Sequence, residues 1–160
     1  YGVPANHLQV EVTENSLMVD PRVALEVLKQ LRGMGVRISI DDYGTGYSSL
    51  AYLKRLPVDE LKIDKAFISH LCEDDNDAII VQSTIGMGHA MGLTIVAEGI
   101  EDRATLEQLR EAGCDVGQGF FLARPLPAAE ATAHLRAEQH GIPIATEKFP
   151  SLAGVFRGVY

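Results

Sequence analysis

Only two cysteines, Cys72 and Cys114, occur in 160 residues, and they lie far apart. They suggest neither a disulfide framework nor a zinc-ligand spacing, so a reducing cytoplasm is the expected compartment. No apolar run approaches the roughly 20 residues that a membrane-spanning helix requires, and the N-terminus shows no signal-peptide pattern. Positive charge is scarce: 14 Lys and Arg against 22 Asp and Glu leave a net charge of −8. A general DNA or RNA binder presents a basic face, so that class is disfavoured. An anionic substrate is still admissible, because bound divalent metals reverse the local field of an acidic site. His7, His70, His89, His134 and His140 are scattered, with no H-x-x-x-H or H-E-x-x-H relation. There is no G-x-S-x-G elbow, Walker A loop or dinucleotide fingerprint. Zinc hydrolysis, serine hydrolysis and nucleoside-triphosphate chemistry are thereby disfavoured, and oxygen-ligated metal chemistry remains.

What the chain does have is a regular alternation of short apolar strands and amphipathic helices. Strands are expected over residues 8–13, 36–41, 60–64 and 93–98, with a shorter one near 115–118. Asp20-Pro21 reads as an N-cap followed by proline in the first turn of a helix that runs to Gly33 or Gly35. Further helices are expected over 77–91, 102–112 and 128–139, and a shorter one over 48–55. Strand, helix, strand, repeated, implies parallel strands with helical crossovers. Residues 140–160, broken by Gly141, Pro143 and Pro150, read as an extension beyond a unit spanning 1–139.

The strands also alternate internally. Gln9-Val10-Glu11-Val12-Thr13 puts polar residues on one face and valines on the other, and Ile38-Ser39-Ile40-Asp41 and Leu61-Lys62-Ile63-Asp64 keep the same parity. A parallel strand covered by helices on both sides is apolar throughout, so one face of this sheet meets something else. Glu11, Asp41, Asp64 and Glu98 stand at or near strand ends, which points to a shared site on the C-terminal rim. Five strands cannot close an eight-stranded barrel, so the expected fold is α/β: a partial (β/α)₈ barrel or an open sheet.

Asp41-Asp42-Tyr43-Gly44-Thr45-Gly46 is the most informative segment. Adjacent acids on an extended chain point apart; at a strand end the chain can turn so that both reach one cation, and the glycines permit a tight loop. The alternative is a helix-capping Asp beside a solvated one. Glu11 could add a third hard oxygen ligand suited to Mg²⁺ or Mn²⁺, or be an exposed edge-strand charge. Glu14 reads as an acid that holds a loop or sits in solvent. Lys62 and Asp64 share a strand face; a lysine among carboxylates can orient a nucleophilic water, stabilise transition-state charge or merely offset the acids. Glu98 suits a general base, a metal ligand or a turn cap. Glu101 reads as the cap of the helix beginning near Asp102. Gln118, between Gly117 and Gly119, stands where a substrate could approach the backbone, or in a plain turn.

Val10-Glu11-Val12-Thr13-Glu14-Asn15, the segment from Asp41 to Leu50, Leu61-Lys62-Ile63-Asp64-Lys65, Ala97-Glu98-Gly99-Ile100-Glu101 and Gly117-Gln118-Gly119-Phe120 follow one another as in EAL domains. The chain resembles that family over about residues 8–135, with Tyr43 where the family commonly has phenylalanine. The resemblance implies a (β/α)₈-like barrel that hydrolyses cyclic di-GMP to linear pGpG with two Mg²⁺ or Mn²⁺ ions. It implies that Glu11 and Asp41 bind one metal and that Asp41 bridges to a second, which Asp42 also holds. Lys62 would position the attacking water, Glu98 would serve as base or second-site ligand, and Gln118 would help place substrate and water. Asp64 and Glu101 would support the site. Glu14 would hold a loop linked to homodimerisation through the segment after the two aspartates. The family's Glu-Ala-Leu segment, an Asn ligand and a basic dinucleotide-gripping residue are expected upstream of Tyr1, together with about three strands. This polypeptide alone is therefore expected to be inactive, although its parent is an enzyme. A non-catalytic cyclic di-GMP receptor and a regulatory interaction module on the same scaffold are the competing expectations. Enolase-like proton abstraction is a third, and the Asp-Asp-Tyr-Gly-Thr-Gly loop gives it no support.

Overall fold

A computed structural model of the chain describes residues 2–44 and 50–139. The helix expected over 48–55 and the homodimer segment following the two aspartates lie partly outside these residues, and the extension at 140–160 wholly so.

Among the described residues five strands form: β1 (Gln9–Thr13), β2 (Arg37–Tyr43), β3 (Glu60–Ile63), β4 (Thr94–Ala97) and β5 (Val116–Gly117). All pair in parallel, and their spatial order is their sequence order. Crossovers of one hand between successive parallel neighbours place the connecting helices on one face. That is the winding of a barrel wall, not of a doubly wound sheet, in which the order reverses. The fold is α/β, five strands of a TIM-like wall.

The helices are α1 (Glu14–Val19), α2 (Pro21–Gly33), α3 (Leu50–Leu53), α4 (Lys65–Ile68), α5 (Asp75–Ala90), α6 (Arg103–Glu111) and α7 (Ala128–Gln139), with a 3₁₀ turn at Ala5–His7. Side-chain caps set several of the starts. Asp20 accepts from the N–H groups of Arg22 and Val23 at 3.1 Å, which satisfies donors that a helix start leaves unpaired. Asp74 accepts from Asn76 N–H at 2.7 Å, so α5 begins two residues before the expected start at 77. For α6 the cap is Asp102, not Glu101: the Asp102 carboxylate accepts from both the N–H and the hydroxyl of Thr105 at 2.9 Å. The shorter side chain reaches the first turn, and Glu101 stands outside it, exposed. The short α1 and α4, absent from the sequence expectation, start at caps from Thr13 and Asp64.

The two faces of the sheet differ sharply. Ile38, Ile40, Leu61, Ile63, Ile95 and Ala97 are fully buried in one cluster with Ile68 of α4, Val81 and Ile85 of α5 and Leu109 of α6. Burying each of the larger side chains stabilises the fold by about 1.5–3 kcal/mol, so this face carries the stability. The opposite parity presents Gln9, Glu11, Ser39, Asp41, Glu60 and Lys62.

At the N-terminal end of the sheet two aspartates stitch neighbouring strands. Asp59, just before β3, accepts from Ile38 N–H at 3.0 Å and pairs with Arg32 from the last turn of α2. Asp115, just before β5, accepts from Ile95 N–H at 2.8 Å and meets His89 Nε2 from the last turn of α5 at 2.8 Å. Among the described residues no helix is long and apolar enough to cross a membrane.

Candidate functional site

The site begins with an irregularity in β2. Ile40 pairs with Leu61 and Tyr43 with Ile63, so three residue steps on β2 face two on β3. Such a bulge bends its strand and re-aims side chains. Asp42 adopts φ 55° there, the one non-glycine residue at positive φ among those described. Asp tolerates the left-handed region better than most residues, yet the conformation still costs on the order of 1 kcal/mol. The result is that adjacent acids, which would diverge on a regular strand, serve one location. The Asp42 carboxyl hydrogen-bonds with that of Asp64 and lies within the field of Asp41 and Glu98.

Lys62 sits at the centre. Its Nζ lies 2.6 Å from Glu98 Oε1, 3.0 Å from Glu11 Oε1 and 3.3 Å from Asp41 Oδ1, so β1, β2 and the end of β4 all converge on the lysine of β3. Burial alone would lower its pKa. Hydrogen bonds to Glu98 and Glu11, together with the charges of Glu98 and Asp41, outweigh that and hold the ammonium well above the usual lysine value. Asp42 is pushed up instead, by burial first, then by its hydrogen bond with Asp64 and by the charges of Asp41, Asp64 and Glu98.

The loop leaving the bulge is pinned on several sides. Glu14, only 2 % exposed, accepts from Gly44 N–H at 3.1 Å. Gly44 has φ 102°, and a Cβ there would lie 2.9 Å from Phe67 Cε2, so only glycine fits. The Tyr43 hydroxyl donates to Met87 Sδ of α5 at 3.8 Å, and burial together with the negative charge of Glu14 raises its pKa. On the other side of the site, Gln118 N–H donates to the Ala97 carbonyl at 2.8 Å and its own carbonyl accepts from Ile100 N–H at 3.1 Å. Gly119 follows because a Cβ would run into the Ile100 backbone.

The structure thus gathers Glu11, Asp41, Asp42, Lys62, Asp64 and Glu98. Asp64 does double duty, since it also caps α4 through Ala66 N–H at 2.7 Å. Glu14 stands behind the loop. Gln118 lies at the rim with its side chain exposed, and Glu101 is exposed beside the α6 cap. Sequence reasoning missed a deeper interior contact in which Gln9 Nε2 of β1 donates to Glu60 Oε1 of β3 at 2.6 Å, across the intervening β2. The signal was available, because Glu60 continues the parity of Lys62. Phe67, against Gly44, gave no signal.

The donors are all hard oxygens, the class that takes Mg²⁺ or Mn²⁺. Glu11, Asp41 and Glu98 meet the Lys62 ammonium and Asp42 and Asp64 lie close by, an excess of negative charge that favours a divalent cation. Asp41 Oδ1 is buried with no hydrogen-bond partner: its approach to Lys62 is an ion pair without hydrogen-bond alignment, leaving a lone pair available. Among the described residues no three acids or histidines form a ready-made cage. The acids are instead drawn onto Lys62. The residues therefore fit a cation by chemistry, in a site whose oxygens have to regroup to hold it.

Comparisons with known proteins point one way. A sequence profile of the EAL domain matches residues 1–125. The chain is 51 % identical over 133 residues to the bifunctional diguanylate cyclase/cyclic di-GMP phosphodiesterase MucR of Pseudomonas aeruginosa, covering 83 % of this chain and 19 % of MucR. Among solved structures, the PaMucR phosphodiesterase in its c-di-GMP complex matches with a TM-score of 0.78 and 52 % identity, over 81 % of this chain and 52 % of that one. The manganese/cy-diGMP complex of Klebsiella pneumoniae BlrP1 matches with a TM-score of 0.73 and 33 % identity, over 78 % of this chain and 32 % of that one. The chain thus spans about a fifth of MucR and about half of the solved PaMucR phosphodiesterase.

Proposed function

The chain belongs to the EAL-domain family, and from that premise we propose that it is the part of a cyclic di-GMP phosphodiesterase that carries the lysine and most of the carboxylates of the hydrolytic site. The observation that carries this reading is the convergence of Glu11, Asp41 and Glu98 on Lys62, with Asp42 turned to the same location by the bulge. In the proposed reaction water adds to one phosphorus of the cyclic dinucleotide and the bond to the 3′ oxygen breaks, leaving linear pGpG.

Glu11, Asp41 and Asp42 are the residues that would hold Mg²⁺ or Mn²⁺, a pairing supported by the manganese complex of the relative BlrP1. When bound, the ions supply Lewis-acid stabilisation of the phosphoryl oxygens and lower the pKa of water. Lys62 is held protonated by its three partners, so its role is to donate hydrogen bonds and orient the attacking water, not to accept a proton. The acceptor would then be a carboxylate, and Glu98, 2.6 Å from the ammonium, is the candidate beside a water that Lys62 would orient. Asp64 steadies Asp42 by their shared hydrogen bond. Gln118, exposed at the rim, would help place substrate. The five strands among the described residues supply only part of an eight-stranded wall, so the 160 residues assayed alone should show no measurable turnover.

Chromatographic detection of pGpG tests the reading. The complete protein with Mn²⁺ or Mg²⁺ should form it, and a chelator should stop it. Tight cyclic di-GMP binding without turnover would replace this reading with that of a receptor.

A further inference from the structure

Lys62 holds oxygens that the proposed cation also needs. Its side chain is 6 % exposed, and its Nζ lies 3.0 Å from Glu11 Oε1 and 3.3 Å from Asp41 Oδ1. A carboxylate oxygen binds Mg²⁺ at about 2.0–2.1 Å, so an ion approaching both oxygens from the side of the lysine would compete for the volume that the ammonium fills. Two cations cannot share that volume in a partly desolvated site.

The three bonds of Lys62 are not equivalent. Glu98 gives the shortest, 2.6 Å, and follows β4, the strand beside β3. Glu11 stands on β1, which reaches β3 only across β2, so that bond requires the lysine to extend over an intervening strand. The Glu11 side chain is half exposed and free to reorient. The Asp41 contact lacks hydrogen-bond alignment even with Lys62 beside it. The bonds easiest to give up are thus the two to the proposed metal ligands, and the one most readily kept is to the proposed base.

We propose that Lys62 is an internal counter-ion that competes with the divalent cation for Glu11 and Asp41, and that cation binding shifts it onto Glu98 alone. The proposal rests on the cation site described under Proposed function. It links two events: occupation of the site by metal, and delivery of the lysine to the position from which it orients water beside the base. Until then Lys62 keeps the mutually repelling carboxylates together.

The test is calorimetric titration of Mn²⁺ into the complete protein and its Lys62→Met variant, which keeps chain length and removes the charge. Mn²⁺ should bind at least tenfold more tightly to the variant, and Lys62→Gln should move the same way. Unchanged or weaker Mn²⁺ affinity in a folded variant overturns the competition while leaving the phosphodiesterase reading intact. Failure of the folded wild-type protein to bind Mn²⁺ at all overturns both. Should neither variant fold, a crystal structure of the wild-type protein with Mn²⁺ decides the matter. Lys62 Nζ on Glu98 alone is the expected result, and Nζ still on Glu11 and Asp41 beside a bound ion is the contrary one.

Discussion

The two ends of the sheet both carry acids, and they use them in opposite ways. At the N-terminal end Asp59 and Asp115 are each answered locally, by the N–H of a neighbouring strand and by Arg32 or His89 from the helix that leads into that strand. At the C-terminal end Glu11, Asp41 and Glu98 share Lys62, Asp42 and Asp64 stand beside them, one buried oxygen has no hydrogen bond, and Asp42 sits in a costly backbone conformation. The first arrangement finishes the hydrogen bonding of strands. The second leaves charge unresolved, which is of little use to stability and suits binding a cation and an anionic substrate. Barrel folds divide labour between their ends in this sense.

The largest expected effect is on the chemistry end. Glu98→Gln removes the closest partner of Lys62 and the proposed base, and kcat for cyclic di-GMP hydrolysis should fall at least about a hundredfold in a steady-state assay. An intact rate would remove Glu98 from the mechanism. Next, Asp59→Ala deprives Ile38 N–H and Arg32 of their partner; urea denaturation should show a loss of about 1–3 kcal/mol, with turnover per folded molecule unchanged.

Asp102 sharpens the comparison, since it lies on the chemistry end yet is answered locally by Thr105. Asp102→Ala should cost about 1 kcal/mol, like other lost caps. Hydrogen bonds from the Thr105 backbone and side chain hold the Asp102 pKa below the ordinary aspartate value of 3.8, so the folded state favours its charged form. Its contribution is present above that value and is lost as the pH falls through the depressed one. Thermal melts of wild type and variant should therefore converge on acidification. The smallest effect belongs to His89→Ala: the pair with Asp115 is partly exposed and Asp115 keeps Ile95 N–H, so the melt should report about 0.2–1 kcal/mol.

Much of this contrast is legible in the sequence on the chemistry end and little of it on the other. Polar residues at every second position of parallel strands must face something other than helices, and that pattern alone marks out the inner parity of Glu11, Asp41 and Lys62. The bulge is legible only in outline: nothing in Asp41-Asp42-Tyr43-Gly44 says that Asp42 itself takes a positive φ. Asp59 and Asp115 pass unnoticed because an aspartate before a strand looks like a loop acid, and the N–H groups they meet are 21 and 20 residues away. α1 and α4, six and four residues long, are too short to show helical periodicity. Glu101 and Asp102 differ as caps by one methylene and one position, a distinction that only geometry resolves.

One substitution measured two ways tests the division most directly. Asp41→Asn keeps shape and removes the charge of the buried, unbonded oxygen; the complete protein should lose Mn²⁺-dependent pGpG formation at least about a hundredfold, with a Tm unchanged or higher. A Tm lowered as far as that of Asp59→Ala, with hydrolysis intact, would contradict the account: Asp41 would then be an acid of the structural kind, and the cluster around Lys62 would not be the hydrolytic site.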